Sequence, residues 1–140
     1  MLLFLSIVSG AFISVMLVQN GGLAEQFGNY RSSVIVHIVG LTCILLWMFL
    51  RREKFRWDKT TPPAYYLGGV LGVITVVTSN LCFFSLGVSL TLALGLFGQC
   101  LFGGIVDHFG LFGLPMVPFR KQHLISFGFI ISGIAIMYLL

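Results

Sequence analysis

A few polar side chains lie in otherwise hydrocarbon surroundings, and any chemistry must come from them: Gln19, Asn20, His37, Asn80, Gln99, Asp107 and His108. Asn20 and Gln99 are neutral amides that donate and accept hydrogen bonds without the cost of burying a charge, which makes them the leading candidates to hold a substrate. The same two amides serve equally well as hydrogen-bonding groups between helices. Gln19 precedes Asn20 and, on a helix, points about 100° away, so the pair cannot face one cavity squarely. Asn80 is a weaker substrate candidate, since it lies near an expected turn whose backbone it can satisfy. His37 offers an imidazole, the side chain most used for proton exchange, although a lone histidine near an interface is more often structural. Asp107 ends a helix, where the macrodipole disfavours an anion. His108, Arg120, Lys121, a coupled proton or water must offset it. A gating or coupling role for Asp107, His108 and His37 stands beside the plainer reading of a solvated interfacial carboxylate. Thr75 and Thr78 are expected to bond back to helical carbonyls.

No enzyme constellation accompanies these groups. GxSxG, HExxH and acids paired at active-site spacing are all missing, and so is a phosphate-binding loop. Cys43, Cys82 and Cys100 lie inside apolar segments with no CxxC, and read as small buried thiols. The expectation is a protein that is not an enzyme, with no cofactor and no metal. Pumping driven by ATP would need another subunit.

The elements that position these residues follow from hydropathy. The chain has 140 residues, 58% hydrophobic and 9% charged, with a mean hydropathy of +1.05. A soluble domain needs far more polar surface. The apolar runs match the roughly 20 residues of a membrane helix, whereas barrel strands take about 10 of alternating polarity. A helix also satisfies its own backbone, which lipid cannot do. The fold class is therefore all-α: a polytopic membrane protein with five transmembrane helices in a single domain, 1–140. The spans run from about Leu2 to Ala24, Ser32 to Leu50, Ala64 to Phe84, Leu90 to Val106 and Leu124 to Leu140. FGNYRSS is read as a short loop with Gly28 and Asn29 at its turn, and SLGVS as a tight hairpin. The opening MLLFLSIVSG lacks a basic flank, and its apolar run outlasts a leader's, so no cleaved signal peptide is expected.

Charge sets orientation. With five spans, Arg51, Arg52, Lys54, Arg56, Lys59, Arg120 and Lys121 share one side, and Arg31 stands alone on the other. Under the positive-inside rule the N-terminus is cytoplasmic and the C-terminus outside. Trp47, Trp57, Tyr65 and Tyr66 then form an inner aromatic belt. The net charge of +4 reflects this topology and not nucleic-acid binding. Small residues recur at helix-packing intervals: Gly68 with Gly72, then Gly95, Gly98, Gly103 and Gly104, then Gly128 with Ser132.

Three segments carry a family resemblance. GQCLFGGIVDHFGLFG, from Gly98 to Gly113, resembles the signature of the YdcZ-like inner-membrane proteins of the drug/metabolite transporter superfamily. GGVLGV, from Gly68 to Val73, is similar to that family's third-span motif, and NGGLAEQFGN, from Asn20 to Asn29, to its first-span Asn-x-x-Leu pattern. The resemblance implicates Asn20, Gly98, Gln99, Asp107 and Gly110. It implies a bacterial inner-membrane location and one half of a ten-helix inverted-repeat transporter, like one repeat of the EamA-type carriers. Family members pair as antiparallel homodimers, as oppositely oriented paralogues or as fused halves. Met16 stands where the family often has Gln, which thins the polar wall of a site. Ser85 stands where Pro is expected. No acid precedes Glu25, so the membrane-glutamate exchange of the related small multidrug resistance proteins does not carry over.

Together these readings predict alternating-access export of a small molecule. The partner is an oppositely oriented homologous five-helix protein or a second copy of this chain. The rival expectation is a non-transporting membrane subunit that stabilises or regulates a larger complex.

Overall fold

The computed structural model describes residues 1–54, 60–119 and 121–139, without the side chains of Lys121 and Gln122. Trp57, Arg56, Lys59, Arg120 and the end of the fifth span at Leu140 lie outside the described residues. All regular structure among the described residues is helical: α1 (Leu2–Phe27), α2 (Asn29–Arg51), α3 (Gly68–Phe109) and α4 (Lys121–Leu139), with 3-10 turns at Pro63–Leu67 and Leu111–Gly113. The helices α1, α2 and the stretch Pro63–Phe109 are each long and apolar enough to cross a bilayer, and His123–Leu139 is a shorter apolar helix. The chain divides into two compact units, Met1–Ser85 and Leu86–Leu140.

Two glycines replace the loops expected from the sequence. The FGNYRSS loop shrinks to Gly28, whose φ of 80° and ψ of 155° break the helix at a single residue. Such a positive φ carries no Cβ penalty in glycine. The Gly28 N–H bonds the Ala24 carbonyl at 2.9 Å, and the Gly28 carbonyl accepts the Ser32 N–H at 3.1 Å. Backbone pairing thus continues to the turn, as surroundings poor in water require. Asn29 to Ser33 are consequently helical. Likewise, the turn expected across SLGVS narrows to Gly87, with φ 75° and ψ 179°.

The interior is inverted relative to a soluble protein. Leu17 and Ala24 are the only buried hydrophobic residues among those described, whereas Asn20, Ser32, Ser33, Asn80 and Thr91 are buried polar ones. Large apolar side chains cover the outside of every helix. Lipid tails are as apolar as Leu, so burying Leu gains little; close packing and interhelical hydrogen bonds hold such helices together. The three cysteines follow suit: Cys43, Cys82 and Cys100 are free and exposed on the apolar surface, which corrects the expectation of buried thiols. At the end of α2, Arg51 lies 5.3 Å above the Trp47 ring, a cation–π contact suited to an interface.

In the first unit Phe83 of α3 lays its ring across Gly21 of α1. A Cβ at position 21 would stand 2.5 Å from that ring. Gly21→Val is therefore expected to destabilise the protein by about 2 kcal/mol through overpacking. Shortening the opposing ring, in Gly21→Val/Phe83→Ala, should recover part of the loss. Denaturation in detergent micelles checks this; an unchanged midpoint for Gly21→Val would refute the contact.

Candidate functional site

A polar seam joins α2 to α3 within the first unit. Asn29 Nδ2 donates to the Val77 carbonyl at 3.0 Å. Asn80 Nδ2 donates to Asn29 Oδ1 at 3.0 Å. Asn80 is 1% exposed, and its own Oδ1 has no partner. One turn along α2, Ser32 Oγ donates to the Asn29 carbonyl at 2.8 Å, while the buried Ser33 Oγ is unpartnered. His37 Nδ1 lies 2.7 Å from the Ser33 carbonyl. A carbonyl only accepts, so Nδ1 carries the hydrogen and Nε2 of the neutral ring is left as an acceptor. Asn29, Ser33 and His37 recur every four residues, which places them on one face of α2.

The second unit holds a cavity of about 350 Å³. Cys100, Gly103, Gly104 and Asp107 line it from α3, and His123, Ser126, Phe127 and Ile130 from α4. Each set has i, i+3, i+4, i+7 spacing, so one face of each helix supplies a wall. The two glycines leave that wall without side chains at its centre. The segment after α3 folds back along the helix and adds Phe119 to the lining. Gly110 adopts a left-handed φ of 58°, and a Cβ there would stand 2.7 Å from Met116 Cγ. The Val117 N–H then bonds the Asp107 carbonyl at 2.8 Å, which satisfies one of the carbonyls left open at a helix C-terminus. The Phe119 N–H donates to His108 Nδ1 at 3.2 Å. Phe119 stacks on Phe127 with centroids 6.1 Å apart, and His123 meets Phe119 edge-on at 5.1 Å. A carboxylate, an imidazole, a thiol and two aromatic rings thus surround one space. Such a lining can hydrogen-bond a guest and pack against its apolar part. No group of His, Cys, Asp and Glu among the described residues can hold a metal ion.

The helical run that builds both places falls inside one family match. The model described as "Putative inner membrane exporter, YdcZ" matches residues 1–136. The chain belongs to the YdcZ family. No curated protein and no solved structure matches it. Family membership and long apolar helices make this YdcZ protein a multi-pass protein of the inner membrane, in a family described as inner-membrane exporters.

The structure distributes the sequence candidates of the YdcZ chain unevenly. Asn20 is buried, at 6% exposure, on the face of α1 that carries Leu17, Gly21 and Ala24. Gln19, on the next facet, is exposed. Asn80 does not serve the neighbouring turn but bonds Asn29. Gln99 is exposed on α3, and neither it nor Asn20 lines the cavities described here. Asp107 lines the second unit's cavity, and His108 lines an adjoining apolar space of about 550 Å³. Thr75 and Thr78 do bond back, to Leu71 and Ile74 at 2.8 and 2.7 Å. Of the packing glycines, Gly72 sits near His37, and a Cβ there would lie 3.9 Å from Nε2. Gly68, Gly98 and Gly103 have nothing within 4 Å of where a Cβ would project. Sequence reasoning missed Asn29, Ser33 and Gly21, and it missed His123 and Ser126 as companions of Asp107. The helical spacing from Cys100 to Asp107, and again from His123 to Ile130, was the available signal.

Proposed function

We propose that this YdcZ chain is the five-span half of a drug/metabolite-type exporter that works by alternating access. The family match over residues 1–136 carries the reading. The five spans are α1, α2, the two stretches of α3 flanking Gly87, and α4. Each stretch of α3 is near the roughly 20 residues that a bilayer requires. Inverted-repeat carriers bind substrate near the midplane, between two opposed halves. Asn20, Gln99, Gln19 and Asn80 are the substrate-facing candidates, and Asp107, His108 and His37 the gating or coupling ones. The open glycines at 68 and 98 suit close approach by a second set of helices.

The partner is an antiparallel mate. The one-sided distribution of basic residues favours an oppositely biased homologue, because a second copy inserted the other way would carry seven of them outside. Reporter fusions to the C-terminus test the topology. The expected outcome is activity only on the outer side, with efflux of a compound panel appearing when chain and mate are expressed together. A cytosolic C-terminus would reverse every loop assignment. Activity on both sides would favour the antiparallel homodimer. Absence of efflux, with retention in a larger complex, would favour the subunit reading.

A further inference from the structure

The open groove between α2 and the first stretch of α3 has a volume of about 410 Å³, within the range of small-molecule sites. Val34, Ile38, Leu41, Val73 and Val77 give it apolar walls, and Tyr30 stands among them. No Lys, Arg, Asp or Glu lines it. Three polar side chains do, and beside the exposed Tyr30 phenol two of them, Ser33 and His37, lie on the α2 wall. Ser33 is 3% exposed, and its Oγ bonds nothing. His37, one turn further along, has Nδ1 committed to the Ser33 carbonyl and keeps Nε2 as an acceptor. A charged guest would meet no opposite charge in these walls, at high cost. A pure hydrocarbon would leave both polar groups unsatisfied. A hydroxyl answers both, donating to His37 Nε2 and accepting from Ser33 Oγ once that side chain turns about χ1 toward it.

We propose that this groove binds uncharged, apolar molecules carrying one hydroxyl, the class of medium-chain alcohols and phenols. As a cargo site it rests on the exporter reading; as a binding site it does not.

The test uses the full chain in lipid nanodiscs with ¹⁵N-labelled histidine, and 1-octanol as probe. Octane, octanoate and octylamine are the comparisons. The His37 ring signal is assigned by its loss in His37→Phe. Octanol is expected to shift the His37 Nε2 signal saturably, and the three comparisons are not. Ser33→Ala should weaken octanol binding on the order of tenfold, the loss of one hydrogen bond. Val73→Trp, on a partly exposed wall, should fill the groove and remove the shift. Helix content by circular dichroism and the unfolding midpoint in micelles report whether each variant stays folded. Should Ser33→Ala unfold, Val73→Trp decides alone. Equal shifts with octane would mean occupancy by any hydrocarbon chain, lipid tails included, and would overturn the proposal. So would octanol binding that survives Val73→Trp. A protein that binds octanol with this selectivity but moves no substrate keeps the site and loses the exporter reading.

Discussion

Gln99→Ala is expected to abolish efflux while leaving the amount of protein in the membrane unchanged. Gln99 is exposed on α3 and makes no side-chain hydrogen bond among the described residues. Truncating it therefore breaks no internal contact, and replacing an amide by a methyl group favours insertion into hydrocarbon. On the proposed exporter reading, the amide meets its partner in the working assembly, on the substrate or on the opposing half. Two hydrogen bonds of about 1.5 kcal/mol each amount to an effect on the order of a hundredfold. Efflux rate and membrane abundance, measured on the same cells, separate the outcomes. Normal efflux by Gln99→Ala would remove Gln99 from the site. Efflux and abundance falling together would make it a packing residue.

Asn29→Ala should cost about 3 kcal/mol of stability. Asn29 is the hub of the seam, giving one hydrogen bond to the Val77 carbonyl and taking another from Asn80. Each interhelical bond is worth about 1 kcal/mol in a membrane protein. Truncation also leaves the amide of Asn80 stranded in a buried position, for about 1 kcal/mol more. Making both ends of the pair apolar, in Asn29→Leu/Asn80→Leu, should restore much of the loss, because the penalty lies in leaving one partner unmatched. Unfolding in micelles, followed for the single variants and the pair, measures the coupling. A change below about 0.5 kcal/mol for Asn29→Ala would show that the seam does not hold α2 to α3.

The two variants probe different levels of the molecule. Gln99 is exposed and tests the proposed assembly, whereas Asn29 bonds across to α3 and reports on the fold of the first unit. Asp107 lies between these cases. Its backbone carbonyl holds the folded-back segment after α3, while its side chain belongs to the cavity with Cys100 and His123. A substitution at Asp107 that keeps the backbone bond to Val117 would separate the two roles.

The amino-acid sequence alone determined where the apolar helices lie, because hydropathy is a sum over local residues and needs no partner. It also determined the back-bonding of Thr75 and Thr78, whose acceptors lie four residues away on the same helix, and the family, whose match runs along residues 1–136. Only the tertiary structure decided that Asn29 is a helical hub bonded to Asn80, 51 positions away, and not a turn residue. It likewise decided that Gly21 is a seat for Phe83, and that single glycines at 28 and 87 do the work of whole loops. These outcomes depend on which face of one helix meets which face of another. Each residue rotates that face by about 100°, and no property of a single segment says where its neighbour will stand.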